Sequence, residues 1–107
     1  MPAIGYVTKQ GNGYKGFLKT LTIRTDIEIV PNANKTADNH PDFRVLSKVG
    51  YEIGAGWLRM GESSGKEYVS MSLAAPEFGR HKLYANLGRA AGQDDDDTYA
   101  LIWNPAD

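Results

Sequence analysis

The run from Phe17 to Ile29 constrains the fold more than any other segment. Its odd positions read Phe17, Lys19, Leu21, Ile23, Thr25, Ile27 and Ile29, and the even positions from Thr20 are Thr20, Thr22, Arg24, Asp26 and Glu28. A mostly apolar row at alternate positions suits a pleated strand with one buried face, whereas a helix repeats at 3.6. The run is longer than the usual strand of about 5 or 6 residues. The pattern therefore predicts either one strand divided by a bulge or bend near Thr20 to Thr22, or two strands sharing the segment, curving around a core.

Other segments extend the same reading. Ile4 to Thr8 is a short strand, and Gly11-Asn12-Gly13 supplies the backbone freedom of a tight hairpin turn, so residues 3–30 read as a hairpin. Residues 31–41 (PNANKTADNHP) are rich in Asn, Pro and Asp and form the main irregular loop. Phe43 to Val49 alternates, and after Gly50 the positions Tyr51, Ile53, Ala55 and Trp57 share a face opposite Gly54 and Gly56. Trp57 is accordingly expected in the core, with the two glycines permitting strong curvature.

Beyond the turn at 62–66, Val69, Met71 and Leu73 face one way and Tyr68, Ser70 and Ser72 the other. Pro76 and Gly79 mark a connection; a short helical turn is expected near Ala74 to Phe78 or in the 31–41 loop. His81 to Leu87 and Thr98 to Trp103 alternate again. About seven strands without helical periodicity predict one all-β domain over residues 1–107, a small antiparallel barrel or strongly coiled sheet. An acidic loop at 92–97 and a flexible tail at 104–107 complete the expected organisation.

Composition removes several kinds of chemistry. No cysteine occurs, which excludes disulfides, thiolate metal sites and cysteine nucleophiles. No run approaches the roughly 20 apolar residues of a membrane span, and the first residues lack a signal-peptide pattern, so a cytoplasmic location is expected. All twelve Lys and Arg but only eight of the thirteen acids precede residue 94, a net charge of +4 for that part. The remaining acids are Asp94, Asp95, Asp96, Asp97 and Asp107. A mildly basic body bearing an acidic loop suits a polyanionic partner, although four aspartates also suit a solvated hairpin tip.

His40 and His81 do not have the spacing of paired metal ligands, and the aspartate run lacks the glycine and closing glutamate of a calcium loop. No Gly-x-Ser-x-Gly elbow or phosphate-cradling glycine loop is present. No catalytic residue, cofactor or metal site is expected, and an enzyme is not.

The remaining signal is an interleaving of aromatic and basic residues. Arg44, Lys48, Arg59, Tyr68, Lys82 and Tyr84 fall mostly opposite the apolar stripe or at strand ends. On one exposed sheet face they would stack bases and track phosphates, as single-strand-binding sheets do. The expected function is a non-enzymatic β domain contacting single-stranded nucleic acid or a protein that handles it. The alternative is a protein-interaction or homodimer module in which an exposed strand edge pairs with a partner.

Motifs along nearly the whole chain also carry a resemblance: Gly13-Tyr14-Lys15-Gly16, Pro41-Asp42-Phe43-Arg44-Val45, Glu52-Ile53-Gly54-Ala55-Gly56-Trp57, Tyr68-Val69-Ser70-Met71-Ser72-Leu73 and Leu83-Tyr84-Ala85-Asn86-Leu87. Together they resemble the family called domain of unknown function 736. The resemblance implies a small cytoplasmic proteobacterial protein, often encoded on mobile elements, and brings no established activity or catalytic residues. His81-Lys82, where an apolar pair is expected, and the long aspartate run depart from the family pattern.

Overall fold

The computed structural model describes residues 3–61, 65, 67–89 and 97–105. Eight strands follow in order: β1 (Ala3–Gln10), β2 (Gly13–Lys19), β3 (Arg24–Pro31), β4 (Phe43–Ser47), β5 (Glu52–Met60), β6 (Glu67–Leu73), β7 (Leu83–Arg89) and β8 (Thr98–Trp103). Each pairs antiparallel with the next, and β1 pairs with β8, so the sheet closes into an up-and-down barrel. The expected all-β barrel is present.

The eighth strand comes from the Phe17 to Ile29 run, which is two strands. Between them the Thr20 amide donates to the Ile23 carbonyl at 2.8 Å, and the Thr20 hydroxyl accepts from the Ile23 amide at 3.1 Å. A turn closed by a threonine side chain needs no glycine or proline, so the alternation reads straight through it. The inward parity changes there. Tyr14, Gly16 and Leu18 face the interior from β2, whereas Thr25, Ile27 and Ile29 do so from β3. Phe17 consequently lies outside, against Tyr6, and Leu21 is fully exposed at the turn.

The faces of β5 are the reverse of the sequence reading. The β4–β5 register shifts between Val45↔Gly54 and Leu46↔Glu52, leaving Ile53 as the extra residue of a bulge. Gly54 and Gly56 then oppose Leu73 and Met71, which are wholly buried. A Cβ on Gly56 would lie 3.0 Å from Val69 Cγ1 and 3.7 Å from Met71 Cγ, so neighbouring strands already fill that space. An eight-stranded barrel is only wide enough for such an interior. Ala55 and Trp57 therefore point outward, and Trp57 is half-buried on the outer surface instead of in the core.

Leu18, Ile27, Ile29, Val45, Met71, Leu73 and Leu101 have essentially no exposure. Each such side chain contributes about 1.5 to 3 kcal/mol by leaving water. The two ends of the barrel differ. At the end bearing the β1–β2 turn and the loop 32–42, the ring of Tyr14 stands perpendicular to Tyr99 at 5.5 Å and lies 6.0 Å from Phe43. Burial, and then the Tyr99 phenol, raise the Tyr14 hydroxyl above its ordinary pKa. At the opposite end Ile23, Ile53, Phe78, Leu83 and Trp103 are only partly buried against the core. A single 3-10 turn at Pro76–Phe78 lies there, at the connection where a short helical turn was expected.

Of the expected acidic loop, residues 92–96 lie outside the described residues, as do 106 and 107 of the expected tail. Among the described residues no helix is long and apolar enough to cross a membrane.

Candidate nucleic-acid interface

Antiparallel register aligns outward residues of neighbouring strands into rows, with directly opposed Cβ atoms about 5 Å apart. On β4–β7 one row reads Arg44, Ala55, Ser72, Tyr84, and the next reads Trp57, Ser70, Asn86. Arg59 opposes Tyr68 beyond them. Lys48 follows β4 in the turn to β5, and Lys82 precedes β7, both exposed. Four of the six sequence-derived candidates thus belong to one outer face. The two lysines lie at its end nearest the β4–β5 turn.

Trp57 joins this face as a residue that the sequence reading missed. Its indole Nε1 donates to the Asn39 carbonyl at 3.1 Å, so the 32–42 loop pins one edge of the ring. The loop is anchored by Asp42, whose carboxylate accepts from Lys35 Nζ at 2.6 Å and from the Leu58 amide at 2.9 Å. The Lys35 hydrogen bond, the Leu58 amide, and the charges of Lys35 and Arg59 outweigh partial burial and hold the Asp42 carboxyl below its ordinary pKa. Asn32 Nδ2 closes the loop base by donating to the Pro41 carbonyl at 2.9 Å.

Between the aromatic residues the floor is low. Trp57, Ala55, Ser72, Ala74 and Lys82 line a shallow hollow of about 320 Å³, with Tyr84 directly across from Ser72. Small side chains at 55 and 72 let a planar group approach the backbone between Trp57 and Tyr84. Tyr84 is 37% exposed.

The charges of the face are unequal. Arg44 Nε donates to Glu52 Oε1 at 2.9 Å and Arg44 Nη2 to Glu52 Oε2 at 3.4 Å. This pairing raises the Arg44 pKa and lowers that of Glu52. The Arg44 charge is thereby matched within the protein, which leaves Lys48, Arg59 and Lys82 as the cations facing solvent. The β-bulge at Ile53 is what brings Glu52 into register beside Leu46, next to Arg44, and alternation alone does not reveal a bulge.

His40 Nδ1 accepts from the Thr36 amide at 3.2 Å within its own loop, and His81 is exposed on the β6–β7 connection. Among the described residues no group of three or more His, Asp or Glu side chains is placed to hold a metal ion. Among the described strands closure also leaves no free edge of the kind that the alternative, edge-pairing reading calls for, because β1 and β8 cover one another.

The fold and this face together define a closed eight-stranded β-barrel domain with an aromatic and basic strip on four adjacent strands. Over residues 3–106 the chain matches the family described as Protein of unknown function (DUF736), and it belongs to that family. No curated protein and no solved structure matches it.

Proposed function

We propose that this barrel binds single-stranded nucleic acid across the outer face of β4–β7. The observation that carries the reading is the shallow strip floored by Ala55 and Ser72, with Trp57 and Tyr84 beside it and Lys82 at its end. A nucleobase is flat and stacks on aromatic rings with little regard to sequence, while cations spaced along the strip follow the phosphates. Arg59 beside Tyr68 extends the strip toward the 32–42 loop, and Lys48 extends its basic character toward the opposite end.

Fluorescence anisotropy with labelled single-stranded DNA and RNA at low and high salt tests the proposal. If three cations each neutralise a phosphate, log K falls with log salt at a slope of about −2. Arg59→Ala with Lys82→Ala should flatten that slope. Absence of binding at low salt refutes the reading.

A further inference from the structure

The geometry points to a second site, at the barrel end opposite the 32–42 loop, that takes a small apolar carboxylate, its hydrocarbon body in the barrel mouth and its carboxylate toward Arg24 and Ser47. The mouth holds a cavity of about 600 Å³ between the β2–β3 turn, the β4–β5 turn and the Pro76–Phe78 turn. That volume lies within the range of small-molecule sites, which recur at the mouths of β-barrels. Ile23, Ile53, Ala75, Pro76 and Phe78 supply apolar walls. A neighbouring hollow of about 500 Å³ shares Ile23 and Phe78, so the apolar surface continues past the first cavity.

Two polar features single out the ligand's head group. Ser47 lines the cavity, and its Oγ is buried without a hydrogen-bond partner among the described residues. Such an orphaned hydroxyl is disfavoured unless an acceptor reaches it. Thr25 lines the same cavity but already donates to the Asp26 carbonyl at 3.2 Å, and Thr22 and Tyr51 are exposed to water, so Ser47 is the buried hydroxyl with a donor to spare.

The charges agree. Arg24 and Glu52 are the ionisable side chains with full charge at neutral pH that line the cavity. Glu52 is held by Arg44 in the two-pronged contact described above, while Arg24 has no ion-pair partner among the described residues. Among the described residues, one cation without an ion-pair partner, one unpaired hydroxyl donor and an apolar chamber thus line the same mouth. This arrangement selects an anion with a hydrocarbon body over a neutral molecule of the same shape, because guanidinium–carboxylate hydrogen bonds are charge-assisted. The nucleic-acid reading concerns the outer β4–β7 face, and the two stand or fall separately.

Titration of the ¹⁵N-labelled full chain with octanoate, octan-1-ol and acetate, followed by amide chemical shifts, tests the site. Octanoate is expected to shift Ile23, Ser47, Ile53 and Phe78 saturably, with the Ser70 and Asn86 amides of the outer face unmoved. It should bind at least tenfold more tightly than octan-1-ol, and acetate should not saturate. Arg24→Gln is expected to erase the preference for octanoate over the alcohol, and Ser47→Ala to weaken octanoate severalfold. Equal binding of octanoate and octan-1-ol by the parent overturns the assignment of the head group. Unsaturable shifts, or shifts centred elsewhere, overturn the site.

Discussion

Replacing Gly16 by alanine should be among the most damaging single-methyl additions in this barrel. Gly16 faces inward from β2 opposite Val7 of β1. A Cβ there would overlap the Tyr6 carbonyl oxygen and sit 2.6 Å from Val7 Cα. Carbon atoms in ordinary contact lie about 3.5 to 4.0 Å apart, so the two backbones must separate by roughly 1 Å. The obstacle is the backbone of β1, and no rotamer change relieves it. Losing about two ladder hydrogen bonds removes about 1 to 3 kcal/mol, and misfit of the buried Val7 and Leu18 adds a similar amount. A total of about 4 kcal/mol follows. Unfolding entropy of about 2.1 cal/mol/K per residue over 107 residues turns this into a Tm lowered by about 18 °C. Gly88→Ala is the control, because its Cβ would meet Ile102 Cγ1 at an ordinary 3.7 Å. Its Tm should match or slightly exceed that of the parent. Thermal melts followed by circular dichroism compare the two. A Gly16→Ala protein melting within about 3 °C of the parent would refute the β1–β2 packing argued here.

Trp57→Ala should destabilise by only about 1 to 2 kcal/mol, because it removes a half-buried outer ring and one hydrogen bond to Asn39; denaturant unfolding measures it, and a loss of about 4 kcal/mol would return the indole to the core. Ser47→Ala deletes an unpartnered buried hydroxyl and should raise stability by about 1 kcal/mol, seen as a Tm about 4 °C higher; a lower Tm would mean the hydroxyl is satisfied in the free protein. The Asp42 carboxyl has its pKa lowered in the folded state, so its contribution is fully present above the ordinary value of 3.8 and is lost as pH falls through the lower folded value. The Leu58 amide shift, followed between neutral pH and about pH 2, should titrate below 3.8, and Asp42→Asn should abolish the transition; a midpoint above 3.8 would contradict the hydrogen bonds to Lys35 and Leu58.

Period-two alternation determined, from the sequence alone, that this chain is all strand. It also placed Val69, Met71 and Leu73 inside β6, because a strand's side chains must alternate and only one of its faces there is apolar. Tyr68 and Tyr84 were legible as outward residues for the same reason, and Lys48, Arg59 and Lys82 as charged residues at strand ends. Tertiary structure decided the rest wherever inside and outside depend on neighbouring strands. The Thr20 turn reversed the inward parity between β2 and β3, and the bulge at Ile53 reversed β5. On β5 the larger apolar side chains went outside, since Met71, Val69 and Phe43 had already occupied the space beyond Gly56. Volume in a closed interior is shared among all eight strands, and no single strand's pattern records how much of it the others have filled. The pairing of Arg44 with Glu52 depends on the β4–β5 bulge, the lodging of Trp57 against Asn39 on the 32–42 loop folding back over β5, and the open mouth around Ser47 on three separate turns meeting at one end of the barrel. Each is set by how segments pack on one another, which the pattern of a single strand does not carry.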